Sequence, residues 1–251
     1  LIGRISDFVA KRGNDLGYFT SKDDAKIFGD ELKTLLTNQY GAFNSPVNFN
    51  AGLYHTNEVK SDGKAYRINP KTGRPVKLGP GEEYKYPQAS ACFILGVDDT
   101  MESIMKTAVA EADLFKRGSG SGEDLSQLRS SREKLSGGGT PSGPKSFWKI
   151  FDTVAGVVQA GGKTRRAARM QSLKDYHPDI MEFIEAKPRQ EQLAHYLIDS
   201  GVDGSFGGEA YGSVAFQNTN VSIRLSDEFM ATLEKNGTWQ TRRIKNPEST
   251  E

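Results

Sequence analysis

Between Ser90 and Phe115 the apolar residues change their spacing, and that change limits what the chain can fold into. From Ser90 to Val97 the side chains alternate. Ala91, Phe93, Leu95 and Val97 fall on one face, and Ser90, Cys92 and Ile94 on the other, as a strand requires. The period then becomes helical through Met101, Ile104, Met105, Ala108, Ala112 and Phe115, with a stop at Gly118. The helical period returns from about Pro144 to Gln159 in Phe147, Ile150, Phe151, Val154, Val157 and Val158, and ends at Gly161-Gly162. A strand through Met170 follows, then two short helices around Pro178 to Lys187 and Glu191 to Asp199. A strand from Val214 to Leu225 and a helix from Ser226 to Gly237 complete the pattern. Strands alternating with helices, without an internal repeat, predict an α/β architecture.

The residues before Ser90 are less regular. Ser21 with Asp24 forms a capping-box-like start to a helix whose rough apolar face is Ile27, Leu32, Leu35 and Leu36, reaching about Gln39. Pro46 biases Ser45 to an extended conformation. The stretch from Ser61 to Pro87, rich in Gly, Pro, Lys and Tyr, reads as loop and turns with room for one hairpin.

Composition excludes several classes. The formal net charge of +1 gives no global footprint for DNA, RNA or an anionic membrane. No run of apolar residues is long enough to span a bilayer, and charges near Leu1 exclude a signal peptide. One cysteine, Cys92, cannot close an internal disulfide, so a reducing cytoplasm is favoured. His55, His177 and His195 are far apart and have no nearby cysteine, so no metal site is expected. Both ends of the chain, Leu1 and the polar run before Glu251, read as cut, and the expected organisation is a single partial domain over 1–251 with a helical lead-in over 1–40.

Four features invite chemistry. Gly161-Gly162-Lys163-Thr164 suggests a phosphate loop, but Gly156 is one residue out of register and the segment closes a helix instead of opening one. The alternatives are a glycine stop, or a loop whose Lys163, Arg165 and Arg166 meet an anion. Asp99, at a helix start, reads as an N-cap that can also serve a ligand. Gly118 to Gly122 and Ser136 to Pro141 look like flexible linkers, yet they sit among buried helices, where glycine admits close approach of a ligand. Cys92 reads first as a small buried hydrophobe.

Asn44-Ser45-Pro46-Val47 with Phe49-Asn50, Gln88-Ala89-Ser90-Ala91-Cys92-Phe93 and Asp99-Thr100-Met101-Glu102-Ser103-Ile104 together resemble the large chain of ribonucleotide reductases. So do Gly118 to Gly122, Gln159 to Ala168, His177-Pro178-Asp179-Ile180 and the run from Gln217-Asn218 to Met230. The Lys163-Thr164-Arg165-Arg166 wording resembles the adenosylcobalamin-dependent class, with Asn48 departing from the Trp usual there. The resemblance implies the first half of a ten-stranded α/β barrel of this type. It also implies reduction of a ribonucleotide substrate to a 2′-deoxyribonucleotide by thiyl-radical chemistry, with adenosylcobalamin as cofactor and its pocket mostly outside this chain. Cys92 resembles the first of two reducing cysteines, whose disulfide a dithiol reductant such as thioredoxin would return to thiols. Ser45, Ser90, Ala91, Cys92 and Gly120 would hold substrate. Asp99, Thr100, Met101, Arg129, Lys163 and Arg165 would hold a deoxynucleoside triphosphate effector. The helices near 101–116 and 145–159 would pack across a homodimer. The radical cysteine and the second reducing cysteine are expected in a missing C-terminal half, so the chain alone should be inert. Three rival readings stand beside it: a regulatory nucleotide-binding module without catalysis, the iron-dependent class of the same superfamily, and a generic phosphotransferase, against which the misplaced Gly156 speaks.

Overall fold

The computed structural model describes residues 1–61, 65–135, 137–158, 167–205 and 207–245. They form two compact units, Leu1–Ala91 and Cys92–Glu251.

The first unit opens with helices α1 (Ile2–Asp15) and α2 (Lys22–Thr37). Ser21 caps α2 as expected, its hydroxyl accepting from the Asp24 N–H at 3.0 Å. The buried face of α2 differs from the expected one. Ala25 and Gly29 are buried, whereas Ile27 and Leu35 are about half exposed. The reason is closeness: a Cβ on Gly29 would stand 3.1 Å from that of Ala10 on α1, so small residues face the neighbouring helix. Ser45 is not extended either. It begins α3 (Ser45–Asn50), and the extended residue is Asn44, whose side chain accepts from the Val47 N–H at 3.2 Å. A proline in the first helical turn forfeits no backbone bond, and the Asn44 cap rewards starting there. Asn48 bonds back to the Phe43 carbonyl at 3.1 Å, which gives this residue a local role. Helix α4 (Leu53–Asn57) follows. The expected hairpin is present as antiparallel β1 (Tyr66–Ile68) and β2 (Pro75–Lys77).

The second unit is a four-stranded parallel sheet in chain order, β3 (Cys92–Leu95), β4 (Gly120–Asp124), β5 (Arg169–Lys174) and β6 (Thr219–Arg224). Between the strands run α5 (Met101–Lys116), α6 (Gly143–Val157), α7 (Ile180–Asp199) and the short α8 (Glu209–Ser213); α9 (Asp227–Glu234) follows β6. Such a chain of crossovers is what parallel pairing demands. Trp148 and Phe151 of α6, Phe183 of α7, and Leu125, Leu128 and Leu173 are almost entirely buried in one cluster. Trp148 stacks on Phe216 at 3.9 Å between ring centroids.

Three expectations are corrected here. The two short helices are one: α7 runs through Pro188. Proline removes one helical bond, but the face carrying Phe183, Ala186 and Ala194 is buried on both sides of it, and that burial outweighs the loss. The strand expected from Val214 begins only at Thr219, because Phe216 takes a left-handed φ of 64° that turns its ring into the core. Finally, the stretch Gly118–Gly122 is no linker, since β4 lies between β3 and β5 in the sheet.

His177 is wholly buried between two backbone groups. One ring nitrogen meets the Leu128 carbonyl at 2.9 Å and the other accepts the Asp179 N–H at 3.0 Å. Burial holds its pKa below the usual histidine value, although that carbonyl and nearby Asp179 pull the other way. A neutral ring with one N–H fits both partners.

Candidate functional site

Register assigns the side chains of the sheet to two faces. Cys92 pairs with Gly120, Ile94 with Gly122, Gly122 with Met170, and Met170 with Asn220. These residues share one face, because partners in register point the same way. Cys92 is exposed there, Ile94 is 93% exposed and Met170 is 50% exposed. The two glycines leave the strip between Cys92, Ile94 and Met170 without side chains. At Gly120 the absence is enforced, since a Cβ would lie 2.6 Å from the Ala168 carbonyl oxygen. Cys92 is therefore not the buried hydrophobe of the first reading. It is a thiol at the strand's start, beside bare backbone.

The opposite face carries a buried ionic group that fixes β4 against α5 and β5. Arg169, with no exposed side-chain surface, donates to Glu111 at 3.0 Å and to Glu123 at 2.5 Å. It also donates to Gln171 at 2.7 Å and lies over the Phe151 ring. The Ser121 hydroxyl donates to Glu111 at 2.7 Å. Two carboxylates against one guanidinium leave an excess negative charge in a place that cannot solvate it. Burial first, and then the bond to Glu111, push the Glu123 carboxyl up to about 8, against the pull of Arg169. Glu123 thus holds a proton at neutral pH.

At the start of α5, Thr100 and not Asp99 is the cap, its hydroxyl accepting from the Ser103 N–H at 3.2 Å. Asp99 instead accepts from the Arg129 N–H at 3.1 Å, from the Arg129 side chain at 2.7 Å and from Lys245 at 2.9 Å. Burial opposes the charge on Asp99, but Lys245 and Arg129 together overcome it and hold the carboxyl below its ordinary value. Met101, the first residue of α5, is 60% exposed beside them.

The structure thus brings together Cys92 with Gly120, and Asp99, Thr100 and Met101 with Arg129. Ser45, Ser90 and Ala91 belong to the first unit, the last two running directly into Cys92. Lys163, Arg165 and the rest of the glycine-lysine segment lie outside the described residues. Sequence reasoning missed Lys245, whose partner is far away along the chain, and the Glu111–Glu123–Arg169 group, whose members look like ordinary surface charges when read singly. Among the described residues no cluster of three or more His, Cys, Asp or Glu is arranged to hold a metal, and no helix is long and apolar enough to cross a membrane.

Residues 90–250 match the family model described as ribonucleotide reductase, barrel domain. The vitamin B12-dependent ribonucleotide reductase of Rhodopirellula baltica is 52% identical over the whole of this chain, which covers 24% of that protein. That of Streptomyces avermitilis is 44% identical over 94% of this chain and 22% of its own length. The vitamin B12-dependent ribonucleoside-diphosphate reductase of Mycobacterium tuberculosis is 40% identical over 47% of this chain and 17% of its own length. The chain therefore spans about a quarter or less of the length of these relatives. With the family model covering well over half of its residues, and an α/β unit with a parallel sheet in the matched region, the chain belongs to the ribonucleotide reductase family.

Proposed function

We propose that this chain supplies the first half of the catalytic barrel of a ribonucleotide reductase, an oxidoreductase that makes 2′-deoxyribonucleotides, with the substrate-facing and effector-facing residues on it. The rest of a longer protein would complete the ten-stranded barrel. One observation carries the reading: Cys92 is exposed on a bare strip of a parallel sheet, beside a Gly120 that cannot become any other residue without a clash. Parallel sheets are covered on both faces in folded proteins, and here helices cover only one. The open face, with Ile94 and Met170 on it, calls for a second layer.

In this reading the substrate loses its 2′-hydroxyl as water and gains hydrogen at C2′. The two electrons come from two thiols that become a disulfide, Cys92 being one of them. A thiyl radical on a cysteine outside this chain takes the 3′-hydrogen and later returns it. A dithiol protein such as thioredoxin reduces the disulfide. Ser45, Ser90 and the Ala91-Cys92 backbone hold the ribose, and Gly120 lets substrate lie flat on the sheet. Asp99, Thr100 and Met101 face a deoxynucleoside triphosphate effector, with Arg129, Lys163 and Arg165 toward its phosphates. The exposed stripe Met101, Met105 and Val109 on α5 supports a homodimer. The lone free thiol suits the reducing cytoplasm.

The names of the relatives support adenosylcobalamin as the source of the first radical. The described cavities are lined mainly by charged and polar side chains, not by the broad apolar surface a corrinoid ring needs. The cofactor's pocket would therefore lie mostly in the rest of the longer protein. The chain alone should be inert.

The test is Cys92→Ser in the full-length protein. Turnover with a dithiol reductant should be lost while deoxynucleotide binding persists. Undiminished dithiol-dependent turnover would remove the catalytic reading and leave a regulatory binding module. Turnover without adenosylcobalamin but with an iron-bearing partner would transfer the protein to the iron-dependent class.

A further inference from the structure

Gly120 and Gly122 have no side chains by which to be held, so the strip beside Cys92 stands wherever the rest of β4 is fixed. Ser121 and Glu123 fix it. They alternate with the two glycines and are buried on the covered face. The Ser121 hydroxyl donates to Glu111 of α5 at 2.7 Å, and the Glu123 carbonyl accepts from the Gln171 side chain of β5 at 2.9 Å. The Glu123 carboxyl meets both Glu111 and Arg169. Arg169 also binds Glu111, at 3.0 Å, so one guanidinium and two acids join α5, β4 and β5.

The two acids are short of donors. Glu111 Oε2 and Glu123 Oε1 are buried, and no N–H or O–H of another residue reaches them. Neither side chain has any exposed surface, so bulk water does not supply what is missing. Two bare carboxylates in such a place are costly. A proton on one acid, offered to the other, is the donor that remains. The other charged groups nearby are engaged elsewhere. From α6, Asp152 accepts from the Thr219 hydroxyl of β6 at 2.7 Å and from the Asn218 N–H at 3.0 Å. From α7, Lys187 donates to the Thr219 carbonyl at 2.7 Å. Among the described residues Arg169 is the one cation that reaches either acid.

We propose that Glu111 and Glu123 are positioning residues for substrate: the hydrogen bond between the two acids, clamped by Arg169, sets where Gly120 and Gly122 stand beside Cys92. The proposal rests on the substrate reading of Cys92 and Gly120 and adds the residues that place them. The tolerance is small. A Cβ on Gly120 would lie 2.6 Å from the Ala168 oxygen, and the Ser121 N–H bonds to that same oxygen at 3.2 Å. When the shared proton leaves, two like charges face each other where α5 meets β4, and their repulsion moves β4 against its neighbours. The strip shifts and substrate binds less well, while the thiols that do the chemistry are untouched. The Glu123 carboxyl keeps its proton up to about 8, so wild-type KM should rise as pH passes that value.

The test uses the full-length protein with adenosylcobalamin and a dithiol reductant. Glu123→Leu should raise KM for the ribonucleotide about fivefold or more and change kcat less than about twofold. Glu123→Gln should recover most of that loss and remove the rise of KM from pH 7 to pH 9, because glutamine can donate to Glu111 at every pH. Ser121→Ala is a milder cut of the same join; it should raise KM about threefold, and it serves where the leucine variant fails to fold. The infrared spectrum of the wild type at pH 7 should show the carbonyl stretch of a buried carboxylic acid that Glu123→Gln lacks. Its absence from the wild type would overturn the proposal whatever the activities. So would an unmoved KM in Glu123→Leu and Ser121→Ala, or a KM that rises with pH in Glu123→Gln as it does in the wild type. Cys92→Ser tells the two readings apart. If it abolishes turnover while KM in Glu123→Leu stays at the wild-type value, the catalytic reading stands and the positioning role falls. If it leaves turnover intact, both fall.

Discussion

Replacing Glu123 by glutamine should make the second unit more stable above mildly acidic pH, although it removes a buried ion-pair partner. The carboxyl holds its proton up to about 8 in the folded chain, against an ordinary value of 4.5. Below 4.5 the folded and unfolded chains are both protonated there, and the group costs nothing. Between 4.5 and 8 the unfolded chain releases the proton and the folded chain keeps it, so stability falls as pH rises. Each pH unit in that window costs about 1.4 kcal/mol in the limiting case, so the loss at pH 7 is on the order of 3 kcal/mol. Glutamine imitates the protonated acid: its oxygen can accept from Arg169 and its amide can donate to Glu111. Glu123→Gln should therefore flatten the dependence of stability on pH between 5 and 8, and raise stability at pH 7 by a large part of that amount. Urea denaturation of both proteins at several pH values measures it. Parallel pH profiles, or a glutamine variant less stable than the wild type at pH 8, would refute a proton on Glu123 and leave a plain ion pair with Arg169.

Arg169→Met should be severe, costing about 3–5 kcal/mol, because it strands the Glu111 carboxylate without a cation and takes a donor from the protonated Glu123; denaturation at pH 7 checks it. His177 contributes with the opposite sign to Glu123. Its folded pKa lies below 6.5, so its contribution is present above 6.5 and is lost as pH falls through the depressed value; following the ring by NMR on acidification should show it neutral until the unit unfolds. Trp148→Ala should cost about 3–5 kcal/mol, since it opens a cavity against Phe183 and Phe216, and loss of cooperative unfolding at 37 °C is the readout. Gly120→Ala should disturb substrate binding more than folding elsewhere, because its Cβ meets a backbone oxygen at 2.6 Å and must push β4 from β5; a raised KM in the full-length protein is the measure.

Much of the second unit was legible because its helices and its first strand bury one face. The face of Phe93 and Leu95 on β3 and the burial of Phe151 on α6 follow the spacing of the residues themselves, whereas Trp148, outside the expected stripe of α6, is buried and Val157, within it, is exposed. Legibility failed where tertiary packing overruled local preference. Pro188 should end a helix, yet α7 continues because Ala186 and Ala194 are buried on either side of it. Ile27 and Leu35 look like a core face, yet the close approach of α1 selects Ala25 and Gly29. Asp99 reads as the cap of α5, yet Thr100 takes that place because Arg129 and Lys245 engage Asp99. No local signal announces a partner so distant in the chain.

Strand β4 shows why the site itself was the hardest part to read. Gly120, Ser121, Gly122, Glu123 and Asp124 have the composition of a linker, and on strand propensity alone they should not form a strand. Two requirements on opposite faces explain them. On the open face glycine at 120 and 122 leaves the strand bare beside Cys92, which the proposed substrate site would use. On the covered face it must be held without bulky side chains. Ser121 and Glu123 reach Glu111 and Arg169 instead, exchanging hydrophobic packing for hydrogen bonds and a shared proton. The order small, polar, small, charged is strict alternation, the period of a strand, written in residues that propensity counts as loop. A functional surface on the middle of a sheet, as proposed for Cys92 and Gly120, would force this choice. Any residue large enough to make β4 recognisable from its sequence would fill the strip beside Cys92.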